Sequence, residues 1–364
     1  MIFHLQSALP TALQPVGDIG WIGVDLFFVL SGFLIGSQLL KPFALGQRLD
    51  LPQFYLRRAY RILPAYLVVL LLYLAVPIWR EKPGLPAPWK LLTFTANFGM
   101  DYPARLAFSH VWSLCVEEHF YLLLPCIVLW QMRRPAIWKA STLIAAVLIF
   151  GVILRGWELQ SVVHTPGVTD DQSWALFMKR IYYPTYSRLD GLLIGVTLAC
   201  VRTFRPAWWA KVSHRGGTLL AVGLFVTAAA IWMFQGGYPS PDDTIGILYG
   251  FPVLSLGLGF LVASAASSSG PLQLRVPAAK AIATLAFSLY LTHKEVAHLD
   301  RILLPWMEQN TGWLSAGIYA ITCFAFAALL YACVERPFLL LRDRHLAGIA
   351  SLDPGVEARL DPAL

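Results

Sequence analysis

The stretch WSLCVEEHFYLLLP, Trp112 to Pro125, decides the fold. Apart from Glu117, Glu118 and His119 it is apolar, and similar runs recur along the chain at close to the ~20 residues a helix needs to cross ~30 Å of hydrocarbon. Of the 364 residues 57% are hydrophobic and only 13% charged, a balance foreign to soluble globular domains. Lipid is therefore the solvent of this chain. A spanning segment must satisfy its backbone within one helix or around a closed sheet, and Leu, Val, Ile, Ala, Phe and Trp at helical lengths favour the helix. The fold class expected is all-α, a polytopic transmembrane helical bundle.

Candidate spans cover 22 to 40, 62 to 79, 110 to 131, 137 to 154, 187 to 203, 217 to 234, 245 to 266, 279 to 297 and 312 to 334. The opening MIFHLQSAL has no basic n-region and is too short to span, so it reads as the outer end of a first span that is incomplete here. Lysine and arginine gather in alternate connections, at Lys41 to Arg61, Arg133 to Lys139, Arg202 to Arg215, Arg275 to Lys280 and Arg336 to Arg344. Cytoplasmic loops carry that excess, which predicts about ten spans in the inner, cytoplasmic membrane with both termini cytoplasmic. The transmembrane domain is expected over 1–345 and a disordered tail over 346–364. On this reading the net charge of +7 reports topology, and no nucleic acid is expected as a partner. The five cysteines lie in or beside apolar runs without ligand spacing and read as core residues. The eight histidines are scattered, so no metal is expected.

An ionisable residue inside a span costs roughly 2.5–3.5 kcal/mol to insert and is a functional candidate by default. His4 sits in the opening fragment, and Asp25 in WIGVDLFFVLSGFLIG could orient a histidine or cap a helix. Glu117 and Glu118 are ~100° apart around a helix, so only one faces a central cavity, and Tyr121 shares the face of Glu117. In YLRRAYRILPAY, Arg57, Arg58 and Arg61 mark the cytoplasmic entry of a span. They suit phosphate recognition, and equally topology anchoring or lipid headgroups. Arg188 and Asp190 in YSRLDGLLIG, His293 in SLYLTHKE and Glu335 in CVERPF complete the set, with Arg188 and Asp190 pairing with each other or with nearby polar groups.

Taken in order, MIFHL, GVDLFFVLSGFLIG, YLRRAYRILPAY, HVWSLCVEEHFYLLLP, RLDGLLIG, FSLYLTH and VERPF give a chain that resembles the integral-membrane acyltransferase family three along nearly its whole length. The resemblance implies ten core helices, a cytoplasmic acyl-CoA donor, commonly acetyl-CoA, and an acceptor hydroxyl on an extracytoplasmic glycan, glycolipid or small natural product. It implies catalysis by the first-span histidine, here His4, and donor binding by Arg57, Arg58 and Arg61, and it matches Glu117 to the first glutamate of the WSLxVEE motif. A neutral imidazole can take a hydroxyl proton as the oxygen attacks a thioester. Glu117 or Asp25 is expected to hold its tautomer, as a carboxylate does in a catalytic triad, while Glu118 and His119 support the helix. The resemblance also implies an arginine about three turns before the histidine; the sequence begins too late to contain it, so either this start is downstream of the true one or this version has lost half a helix. No esterase-like domain follows the last span, so a separate periplasmic partner would supply that activity. The competing reading is a proton-coupled transporter, which would show paired inverted halves with broken helices; the sequence has no such symmetry.

Overall fold

The computed structural model describes residues 1–101, 104–270, 277–308, 310 and 312–352. Among these the secondary structure is helical, with no strand. The main helices are α1 (Ile22–Ala44), α2 (Leu51–Ala75), α3 (Trp112–Met132), α4 (Ile137–Glu158), α5 (Asp190–Phe204), α6 (Gly216–Met233), α7 (Phe251–Ala265), α8 (Pro277–Leu303), α9 (Trp313–Leu330) and α10 (Arg336–Leu352). Seven helical stretches among the described residues are long and apolar enough to cross a membrane: α1, α2, α3 with its preceding turn, α4 extended to Val163, α6, the run Gly246–Ala265 containing α7, and the run Trp313–Ala347 joining α9 to α10. The chain is an integral membrane protein of the all-α class.

The expected spans at 187 to 203 and 279 to 297 are the helices outside that set. α5 has 15 residues, about 22 Å of rise, which is short for a bilayer. α8 has 27 residues and sufficient length, but Lys294, Glu295, Asp300 and Arg301 interrupt its apolar character. The opening fragment does not form a helix in register with α1. It makes a tight 3₁₀ helix over Ile2–Ala8, then the turn Thr11–Leu13 and the short helix Gln14–Asp18. Residues 346–352 of the expected tail continue α10, and 353–364 lie outside the described residues. All five cysteines are free thiols.

Burial separates the centre of the bundle from its rim. Most of α3 is buried and little of α4 is, so α3 forms the middle while Ile149, Phe150, Ile153 and Trp157 of α4 are exposed on the outer, lipid-facing side. α1 packs along α5, α6 on α7 and α8 on α9. Small residues allow the first contact. A Cβ added at Gly32 would stand 2.1 Å from the Leu192 carbonyl oxygen, and one at Gly195 2.2 Å from that of Val29. Gly195→Val is therefore expected to push α1 from α5 and destabilise the bundle by at least about 1–3 kcal/mol. An unchanged unfolding midpoint in detergent would refute that packing account.

Two buried ion pairs pin the same region. Arg188 donates to both Asp25 oxygens at 2.9 and 3.1 Å. Arg155, in the last turn of α4, donates to Asp190 at 2.8 Å and to the Ser187 carbonyl at 2.7 Å. The Arg188 guanidinium also lies 4.1 Å from the ring centre of Phe251 and 4.6 Å from that of Tyr182. Each charge is matched, and losing one partner would strand the other in a low-dielectric interior. Arg188 and Asp190 thus pair with different partners, and with neither each other nor the cavity.

Candidate active site

The opening fragment is held by contacts along its length. Phe3 stacks on Tyr238 with ring centres 5.1 Å apart, the Gln6 amide donates to Asp18, and Leu5 packs with Ala297, Met307 and Tyr319. Burial pushes the Tyr238 phenol well above its ordinary range, helped by the neighbouring Tyr182, so it stays neutral beneath Phe3. These contacts bring His4 against α8.

His4 Nδ1 lies 2.8 Å from His293 Nε2. His293 Nδ1 lies 3.0 Å from the Leu289 carbonyl oxygen and 2.9 Å from that of Tyr290. Carbonyl oxygens only accept, so Nδ1 of His293 carries the hydrogen and, in the neutral ring, Nε2 carries the lone pair. His4 Nδ1 must then donate to it. That fixes the neutral His4 tautomer with its lone pair on Nε2, the form a general base requires. The group bonded to His4 Nδ1 is thus a backbone-anchored histidine, where the sequence leads us to expect Glu117 or Asp25. Asp25 is corrected on this point: both its oxygens accept from Arg188, and it is not among the residues that line the cavity beside His4.

His4 and His293 line a cavity of about 1040 Å³ that also reaches Glu117, Tyr121, Arg58 and Arg61 on one side, and Glu81, Lys82 and Arg301 on the other. Along α8 the lining runs from Ala283 to Arg301, so the cavity follows that helix for about 27 Å. Glu117 and Tyr121 share its wall as their spacing predicts, and the Tyr121 hydroxyl bonds that of Ser31. Glu118 faces elsewhere. His119 bonds the Thr185 hydroxyl at 2.7 Å and stacks on Phe98 at 5.2 Å, a supporting role.

The three arginines, grouped together by the sequence reading, divide in the structure. Arg58 and Arg61, three apart, line the cavity, while Arg57 is exposed outside it. Arg58 lies 4.7 Å over the Tyr121 ring. Arg61 pairs with Glu335, which also accepts from the Ser288 hydroxyl at 2.8 Å. Arg58→Gln is expected to raise the KM for an anionic donor about tenfold, with Arg57→Gln within about twofold of wild type. Equal effects would return the arginines to a purely topological role.

Sequence reasoning missed His110, Glu81 and Glu295. His110 lies in the 3₁₀ turn Ser109–Val111 that leads into α3, two residues after Phe108, which is left-handed at φ 59°, and packs edge-on to His293 with ring centres 5.3 Å apart. Its place two residues before the WSL motif was the available signal. Ligand atoms of Glu81, His110 and Glu295 lie within 4.8 Å of one another and could hold a cation. The group is already occupied: Lys294 Nζ is 2.7 Å from Glu81, and the Tyr73 hydroxyl sits between the two carboxylates.

Comparison with known sequences places this geometry. The profile described as "Acyltransferase domain" matches residues 2–332. O-acetyltransferase OatA of Staphylococcus aureus is 29% identical over 309 residues, covering 80% of this chain and 47% of that protein. Peptidoglycan O-acetyltransferase OatA of Listeria monocytogenes is 26% identical over 346 residues, covering 87% of this chain and 51% of that protein. A putative O-acetyltransferase of Staphylococcus aureus strain COL is 27% identical over 367 residues, covering 93% and 54%. The chain thus spans about half the length of the curated relatives it matches. No solved structure matches it significantly. With the profile running over nearly all of the bundle, His4 and His293 included, the chain belongs to the membrane acyltransferase domain family.

Proposed function

We propose that this chain is a membrane O-acyltransferase that moves an acyl group, acetyl in the first instance, from cytoplasmic acyl-CoA to a hydroxyl of an extracytoplasmic glycan. Peptidoglycan is the acceptor class suggested by the name of the Listeria relative. The observation that carries this reading is the histidine pair within a cavity that extends past it in both directions.

In this reading Arg58 and Arg61 seat the CoA phosphates at the cytoplasmic end, where guanidinium forks match phosphate oxygens. The pantetheine arm runs past Tyr121 and Glu117, and the thioester carbonyl stops beside His4. The acceptor oxygen attacks that carbonyl while its proton passes to His4 Nε2. The C–S bond then breaks, and the imidazolium returns the proton to the departing thiolate. Acyl ester and free CoA–SH leave, and no proton is gained or lost. His293 keeps its hydrogen on Nδ1 throughout and holds the His4 ring in the reactive tautomer. The positive-inside pattern supports the assignment of the arginine end to the cytoplasm of the inner membrane.

The test is incubation of the purified protein with labelled acetyl-CoA and glycan fragments of peptidoglycan. Acetyl-CoA consumption with hydroxylamine-labile label on the glycan is expected. A transporter needs neither, so substrate movement without ester formation would replace this reading.

A further inference from the structure

Past the two histidines the cavity ends in a second basic mouth. On α8, Lys294, His298 and Arg301 are spaced four and then three residues apart, one stripe of the helix, and all three line the cavity. Lys82, from the segment after α2, lines the same end. The acid there is Glu81, and it is engaged by Lys294 at 2.7 Å. Asp300 is turned to α9, where the Thr322 hydroxyl donates to it at 2.6 Å. Among the described residues Lys82 and Arg301 have no carboxylate within ion-pair distance. Two cations without an ion-pair partner among the described residues, at the mouth of a low-dielectric cavity, concentrate and orient an anion.

We propose that this mouth is an anion subsite, in which Lys82 and Arg301 seat an acidic group of the glycan acceptor, carboxylate or phosphodiester, while a hydroxyl of the same molecule reaches His4. The proposal rests on the acyltransferase reading and adds the charge of its acceptor. Arg301 stands eight residues beyond His293, about 12 Å along α8. The acid and the acylated hydroxyl are thus on the order of 10 Å apart, a separation that suits a substituted glycan and excludes a small alcohol. Arginine supplies a planar fork for a carboxylate or phosphate, and lysine adds a mobile point charge opposite it.

The experiment uses the full chain in phosphatidylcholine vesicles, wild type and the double variant Lys82→Gln/Arg301→Gln. Acetyl transfer is measured to a peptidoglycan glycan fragment with free carboxylates, to the same fragment after amidation, and to its phosphodiester-bearing counterpart. Acetyl-CoA hydrolysis without acceptor reads the donor half alone. The wild type is expected to prefer an acidic fragment about tenfold in KM, and the double variant to lose that preference with kcat held. Whichever acidic fragment is preferred identifies the anion.

Equal use of acidic and amidated fragments by a wild type that hydrolyses acetyl-CoA would overturn the subsite alone. So would a variant defect that appears only when phosphatidylglycerol is added and is independent of acceptor charge, which would assign the mouth to lipid headgroups. A wild type that neither hydrolyses acetyl-CoA nor transfers its acetyl group would overturn the acyltransferase reading, and this proposal with it.

Discussion

Acyl transfer by the His4→Ala protein is expected to fall about 10²- to 10⁴-fold, the range a positioned general base contributes. The loss should appear in kcat with little change in donor KM, because Arg58 and Arg61 at the donor end are untouched. The geometry behind this is a single free lone pair: His4 Nδ1 is committed to His293 at 2.8 Å, so Nε2 is the basic atom. Retention of full activity in His4→Ala, with the protein folded by its unfolding midpoint, would move the base to another residue. His110, 5% exposed and lining the same cavity, would be the first to test.

The second large effect is at His293, which acts through His4 as a positioning residue. His293→Ala is expected to lower kcat about 100-fold, since the His4 ring would then sample the wrong tautomer and other rotamers. Loss of a tautomer-fixing partner elsewhere in enzymology costs up to about 10⁴. A merely structural role would give a different pattern. His293→Gln offers a carboxamide oxygen that can accept from His4 Nδ1, so it should recover roughly a tenth to a half of the lost kcat, whereas a packing role predicts similar losses for Ala and Gln. Loss of both variants to the same degree, or a change confined to KM, would refute the positioning account.

How much of this was legible depended on whether the deciding interaction was local. Apolar runs near spanning length gave α1, α2, α3, α4, α6, α7 and α9, because bilayer thickness acts on each helix separately. The shared wall of Glu117 and Tyr121 followed from helical spacing. Failures came where partners are remote. Asp25 lies next to the small residues that pack against α5, but its carboxylate is claimed by Arg188, 163 positions later in the chain. His4 and His293 are separated by 289 positions, and spacing along one helix carries no information about such a contact. Arg57 and Arg58 are neighbours whose roles are exchanged by a 100° rotation of α2. The phase of that helix is fixed by its packing on α10 and α8, and phase cannot be read from a run of three arginines.

The most direct test of the central claim, passage of an acyl group along the cavity from one face to the other, uses sealed vesicles of known protein orientation. Labelled acetyl-CoA is confined to the arginine side and a glycan acceptor to the opposite side, with the vesicles intact to both. Acetyl ester accumulating on the acceptor, absent in His4→Ala, is the expected result. Label that reaches the acceptor only when both substrates are on the same side would contradict the account.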